Sequence, residues 1–342
     1  MKNFLKKAAA CCRLINKNME NNKNDLQKIE VDMPKADADL NYSDNHKVKE
    51  RDYLLPGSIV IAGLLISGSW LYSATLEYLK PSDSILSQEA TQELQETILP
   101  AEGVTIPVRW GDLGVKLVET GVIDLNAWEN VYKNRGGTSD DIKILFSAAG
   151  DRPVKITPYN AQYFLNIFWA LGLGNKNEIL EKGEMADKRY GGADNFASTG
   201  GWTLAKGKAM DHYSKHSFMV LTSSQQELVE KVSRGIYRPC CGNSTHFPDC
   251  NHGMAMLGLL ELMASQGISE KDMYKYALAV NAYWFPDTYL TIAKYLETKG
   301  SSWKKLDPKE ILGANYSSAA GYQKILSQVA PPTQKGGGSC GV

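Results

Sequence analysis

The chain has no surplus of charge. Lys and Arg total 38 and Asp and Glu total 38 over 342 residues, which excludes the electrostatic footprint that captures nucleic acid. No G-x-x-x-x-G-K-[ST] run is present to cradle a nucleotide's phosphates. C-x-x-C is missing as well, and with it the common zinc-finger and thioredoxin spacings. Histidine is scarce, with five in all, and cysteines number six. At this length a hydrophobic core forms without disulfide staples. No sustained period-two alternation and no internal repeat stands out, which excludes a sheet-rich fold and a solenoid and leaves an all-α domain as the expectation.

What the chain does have is one long uncharged run. From Tyr53 to Leu76, "YLLPGSIVIAGLLISGSWLYSATL", 24 residues lie between Asp52 and Glu77 without a charge. At about 1.5 Å per residue, that length crosses a hydrocarbon layer of about 30 Å. The run predicts a single transmembrane helix over 53–76. Lys47, Lys49 and Arg51 precede it and only Lys80 follows closely, so the positive-inside tendency puts the N-terminus in the cytoplasm and the main domain outside. More than fifty residues precede the run, too many for a cleavable leader. Residues 1–52, rich in Asn, Asp, Lys and Glu, read as a disordered cytoplasmic tail in which Cys11 and Cys12 are free thiols.

Residues 77–330 read as a string of capped helices. Asp124 caps "DLNAWENVYKN", and Thr138 or Ser139 caps "TSDDIKILFSAAG". In "TPYNAQYFLNIFWALGLG", Tyr163, Phe164, Ile167, Phe168 and Leu171 recur at helical spacing and predict a core helix. Residues 175–202 are polar and glycine-rich, the signature of an extended surface loop. A helix is expected to carry His212 and His216, and capping boxes pair Ser223 with Gln226 and Ser224 with Glu227. An apolar helix follows over about 252–266. Further helices begin at Ser269, Asp287 and Asp307, and the last spans about 318–329. Residues 331–342 form a flexible, glycine-rich tail carrying Cys340, a candidate contact for a protein partner.

Chemistry concentrates in "RPCCGNSTHFPDCNHGMAM", residues 238–256. His212, His216, Cys240, Cys241, His246, Cys250 and His252 are the candidate metal ligands. Two histidines four apart on a helix share a face, and thiolates with imidazoles suit zinc or copper. A second reading is a disulfide framework among Cys240, Cys241, Cys250 and Cys340, since the expected compartment is oxidising; a bridge from the vicinal pair to Cys250 closes most easily. A third is a thiol enzyme of the oxidoreductase kind, using Cys250 or the vicinal Cys240/Cys241 pair, with Cys340 as resolving thiol. Asp249 or Asn251 caps the following helix, which sets Cys250 at its positive end with His246 or His252 as base. "NHGMAMLGLL" is similar to the stretch around the catalytic histidine of papain-like peptidases, but no cysteine lies far upstream on the same side of the membrane, which excludes that activity. Gly253 and Gly258 allow a close neighbour, and Glu261, the lone charge of the apolar helix, is either on an exposed strip or buried and paired. The sequence thus describes a membrane-anchored helical domain binding a metal or other ligand through a Cys/His-rich loop, with the thiol enzyme and the disulfide-stapled interaction domain as alternatives.

Overall fold

The structure, a computed structural model, describes residues 83–329. In chain order it comprises helix α1 (Asp83–Ile98), strand β1 (Val104–Gly111), α2 (Leu113–Glu119), α3 (Leu125–Tyr132), α4 (Asp140–Ser147), strand β2 (Gly150–Ile156) and α5 (Ala161–Gly174). There follow α6 (Glu178–Lys182), α7 (Ala197–Gly200), α8 (Ala209–His212), α9 (Ser223–Gly235), α10 (Asn251–Ser265), α11 (Glu270–Trp284) and α12 (Pro286–Thr298), then α13 (Pro308–Ile311), α14 (Ala314–Ser317) and α15 (Ala319–Leu326). The expected membrane helix at 53–76, the N-terminal tail and the tail bearing Cys340 lie outside the described residues. Among the described residues no helix is long and apolar enough to cross a membrane.

The fold is mainly helical, but the all-α expectation needs correction. β1 and β2 pair antiparallel, with Val104 opposite Ile156 and Ile106 opposite Val154. β1 does alternate: Ile106, Val108 and Trp110 are buried and the residues between them are not. Pro107, which has no N–H to donate, sits on the outward face, and the register shifts just after Ile106. The partner strand lies beyond three intervening helices and buries only Val154 and Ile156, so no hairpin signal marks the pair.

α10 is the centre of the domain. Every residue from His252 to Ala264 is buried, which only a helix surrounded on all sides permits. Its closest neighbour is α5, where Phe164, Ile167, Phe168 and Leu171 are core residues as their spacing predicts. The backbones nearly touch at Gly172 and Gly258. A Cβ on Gly172 would stand 2.1 Å from Met254 O, and one on Gly258 would stand 2.3 Å from Phe168 O, so glycine is required at both.

Helix starts largely follow their caps. Asp124, Ser269 and Asp307 accept backbone N–H groups as expected, and α12 begins with Pro286 in its first turn. The capping box of α9 sits one residue before the first of the two predicted: Thr222 and Gln225 exchange reciprocal bonds. Residues 175–202 are not an extended loop. Asn177 and Asp187 side chains cap short turns, and Ile179, Leu180, Met185 and Trp202 are buried. Trp202 Nε1 donates to Val122 O and Trp169 Nε1 to Ser198 O, which pins the segment to the core.

Candidate metal centre

The loop from Arg238 to Cys250 joins α9 to α10 and is tied down at both ends. Tyr237 N donates to Leu312 O, Thr245 N to Ile236 O, and Ala319 N at the start of α15 to Cys241 O. Inside it the Arg238 side chain is completely buried. Its Nη1 donates to Asn243 O at 2.9 Å, and its Nη2 to Asp249 Oδ1 at 3.0 Å, Phe247 O at 3.4 Å and Cys250 Sγ at 3.4 Å. Asn243 Nδ2 donates to the other oxygen of Asp249 at 2.8 Å. The loop is thus wrapped around one guanidinium. Gly253 makes room for it, because a Cβ there would lie 2.7 Å from Nη2.

This packing gathers three sulfurs. Cys240 Sγ lies 3.6 Å from Cys250 Sγ and 4.0 Å from Cys241 Sγ, and Cys241 Sγ lies 3.7 Å from Cys250 Sγ. All three are free thiols. A disulfide needs about 2.0 Å, so the bridge from the vicinal pair to Cys250 is absent; Cys340 lies outside the described residues. Cys250 itself, neither Asp249 nor Asn251, is the N-cap of α10, its Sγ accepting Gly253 N–H at 3.4 Å.

Negative charge in the cluster settles on Cys250. Hydrogen bonds from Cys240 and Cys241 hold its thiol well below the ordinary value against the opposing effect of burial, with Arg238 helping. The two donors move the other way. Cys240 is raised by its bonds to Cys241 and Cys250. Cys241 is pushed up to about 11: the Cys240 bond lowers it, but the Cys250 bond and burial outweigh that. Burial opposes the charge on Arg238, and the neighbouring Cys250 and Cys241 more than offset it, so its pKa is raised.

The structure does not gather the seven candidate ligands at one point. The three cysteines form one group whose ligand atoms all lie within 4.8 Å of each other. His252, in the first turn of α10, touches it on one side: Nδ1 is 3.9 Å from Cys240 Sγ. Its ring is buried against Phe285, 4.4 Å between centroids, and burial lowers its pKa to about 4, so the imidazole is neutral. His246 turns away and its Nδ1 meets Glu184 Oε2 at 2.6 Å.

His212 and His216 stand elsewhere again. The helix expected to carry both stops at His212; Ser214 adopts φ 52, and His216 N bonds to Gly174 O at the end of α5. The rings still meet, His212 Nδ1 to His216 Nε2 at 3.1 Å, while His212 Nε2 faces Lys206 O at 3.0 Å. A carbonyl only accepts, so His212 carries a proton on Nε2. Asn175 pairs with His216 and also donates to Glu261 on α10. Glu261 is eleven residues along that helix from Cys250, about 16 Å at the helical rise. The histidine pair is therefore a separate feature.

Sequence reasoning missed Arg238 and Asp249 as site residues. An arginine before Pro-Cys-Cys carries no mark of its burial. The opposed glycine is the one clue, since Gly253 was expected to admit a close neighbour and that neighbour is the guanidinium.

Chemically, three sulfurs at these separations can share one ion. With a Zn–S bond of about 2.3 Å, a tetrahedral site has S···S edges of about 3.8 Å. The observed 3.6, 3.7 and 4.0 Å bracket that value. An iron–sulfur cluster spreads its thiolates over separate irons and does not fit so tight a triangle. Comparison with protein families, curated proteins and solved structures returns no match, so the site is read from its own geometry.

Proposed function

We propose that this protein binds one zinc or copper(I) ion through Cys240, Cys241 and Cys250, in a helical domain held outside a membrane by a single N-terminal helix over 53–76. The carrying observation is the sulfur triangle, 3.6 to 4.0 Å on a side, matched to a single thiophilic ion. The uncharged run at 53–76 and the basic residues before it support the anchor and its orientation. The two halves of the reading support each other. In an oxidising compartment, free thiols this close oxidise to a disulfide, and a bound ion protects all three.

The test is metal analysis of full-length protein purified anaerobically, beside Cys250→Ser. The expected result is about one ion per chain in the unmodified protein and loss of that ion in the variant. Unmodified protein that carries no stoichiometric metal, and takes up neither zinc nor copper(I) when reduced, would sink the proposal. Location is read separately, by whether a protease added to intact cells or sealed vesicles cuts the main domain.

A thiol enzyme is the second reading, favoured by one observation: Cys250 Sγ accepts from Gly253 N and Arg238 Nη2 and lies within hydrogen-bond reach of the sulfurs of Cys240 and Cys241. Its thiolate would attack a substrate disulfide and release one substrate sulfur as thiolate. Cys240 or Cys241 would then attack Cys250 Sγ in the mixed disulfide, releasing the other substrate thiolate and leaving a disulfide between Cys250 and the attacking cysteine, which an external dithiol must reduce before the next turnover. Under this reading Cys250 of the metal-free protein reacts with a thiol probe at neutral pH well above the rate of a free cysteine, and the protein as purified holds no metal.

A further inference from the structure

We infer that His252 is the fourth ligand of the cysteine site, through Nδ1, and that it makes the site a closed Cys3His tetrahedron that selects zinc over copper(I). This rests on the metal-binding reading above and adds to it the donor set and the identity of the ion. The distinction matters because a zinc held by four protein ligands is structural, whereas one with a fourth position open to solvent is reactive.

Elimination carries much of the argument. Among the described residues, the polar groups touching the sulfurs are Arg238 Nη2, Gly253 N and His252 Nδ1. A guanidinium and a backbone N–H donate only and have no lone pair for a metal. The nearest carboxylate, Asp249, has one oxygen on Arg238 and the other on Asn243. His252 is what remains, and it is an imidazole with a nitrogen already facing the cluster.

Geometry agrees. With Zn–S at about 2.3 Å and Zn–N at about 2.0–2.1 Å, a tetrahedral S···N edge is about 3.5 Å. The observed separation from Cys240 Sγ is 3.9 Å. Nδ1 is not within 4.8 Å of all three sulfurs, so the ring must swing toward Cys241 and Cys250 as the ion enters. Phe285, tilted 40° to the imidazole, and Trp284, edge-on at a centroid distance of 5.9 Å, pack against the ring. Both come from the end of α11, so packing against this helix aims the ligand.

Charge selects the ion. Three thiolates leave one surplus negative charge around Zn(II) and two around Cu(I). Among the described residues Arg238 is the single buried cation at the site, and it is shared with Asp249. Cys240 is exposed and Cys241 and Cys250 half-buried, so solvent screens part of the surplus, and what is left costs more for two charges than for one. A neutral fourth ligand adds nothing to that surplus and completes zinc's preferred four, whereas copper(I) is content with thiolates alone.

The test uses the full-length chain, purified anaerobically in detergent and loaded with Co(II) as a spectroscopic probe, then titrated with zinc and, separately, copper(I). The unmodified protein should show thiolate-to-cobalt charge transfer with the intense visible bands of a tetrahedral S3N site. His252→Phe keeps an aromatic ring at this position and removes the lone pair. It should weaken zinc binding at least about tenfold, shift the visible bands, leave copper(I) affinity within about twofold, and leave thermal unfolding of the metal-free protein unchanged. His252→Cys should restore tight tetrahedral binding. If His252→Phe binds zinc and cobalt as the unmodified protein does, the fourth-ligand inference is overturned while the three-thiolate site stands. If the unmodified protein binds neither ion, the metal reading and this inference fall together.

Discussion

At the scale of single residues, Arg238 and Cys250 divide two roles that are easily confused. Arg238 is a fully buried cation whose donors hold Asn243, Phe247, Asp249 and Cys250 in place. Arg238→Met keeps much of the volume but leaves the Asp249 carboxylate without its cation. Asp249 is 21 % exposed and keeps its bond from Asn243, so breaking the pair costs about 3 kcal/mol, the lower end of the range for buried pairs. The expected outcome is a large drop in the urea midpoint, with metal uptake lost because the loop no longer gathers its sulfurs. Cys250→Ser separates the roles. Serine is a better N-cap than cysteine, so the start of α10 keeps its acceptor and the metal-free variant should unfold within about 0.5 kcal/mol of the parent. Metal binding should nevertheless be lost. A comparable loss of apo-protein stability in both variants would contradict this assignment. The cysteine cluster was legible in the sequence because thiols near one another in a loop have few other uses. The guanidinium beneath it was not, because nothing in one sequence distinguishes a buried arginine from an exposed one.

Between elements, the crossing of α5 and α10 fixes where both ends of α10 point. Gly172 and Gly258 bring the two backbones together, and Glu261 lies one turn further on, wholly buried. Its Oε2 accepts from Asn175 Nδ2 at 3.2 Å, and Oε1 has no partner among the described residues. Burial raises its carboxyl well above the usual range, only partly opposed by Asn175 and Asn177. The folded protein therefore holds a proton that the unfolded chain releases near its ordinary value of about 4.3. Between that value and the raised one the folded state binds more protons, so this residue's contribution to stability falls as pH rises. Glu261→Gln carries the neutral form's shape at every pH. It should match the parent at pH 4 and become progressively more stable than it toward pH 8, as read from urea midpoints across that range. A constant difference between the two proteins would mean that Glu261 is ionised in the fold. The physical reason some elements were readable and others not is visible here. Helix starts at Asp124, Ser269 and Asp307 follow local side-chain-to-backbone bonds, which are written within four residues. The β1–β2 pair, the break at Ser214 and the register of 175–202 depend on partners far along the chain, such as Ile156, Leu173 and Val122.

For the whole molecule, the question is how much of the fold depends on the ion. The sulfur triangle lies where three parts of the chain meet: the loop after α9, the first turn of α10 and, through the Ala319 N to Cys241 O bond, the start of α15. A bound ion ties these together without contributing to the core, where residues such as Trp128, Trp169, Phe168 and Leu260 are buried independently of it. Metal removal should therefore loosen one end of the domain rather than unfold it. Free zinc at about a thousand times Kd adds about 4 kcal/mol to the folded state. For a domain of this size that corresponds to roughly 8–16 °C in melting temperature. Treating the reduced, loaded protein with a strong chelator should lower Tm by about that much, leave far-ultraviolet circular dichroism nearly unchanged at 25 °C, and open protease cleavage between Pro239 and Cys250. Because binding deprotonates thiols, the gap between loaded and stripped protein should shrink as pH falls from 8 to 6. A melting temperature indifferent to the chelator at both pH values would mean that no ion is tied into this corner of the fold. Wholesale loss of helix on chelation would mean instead that the core counts for less than its burial implies.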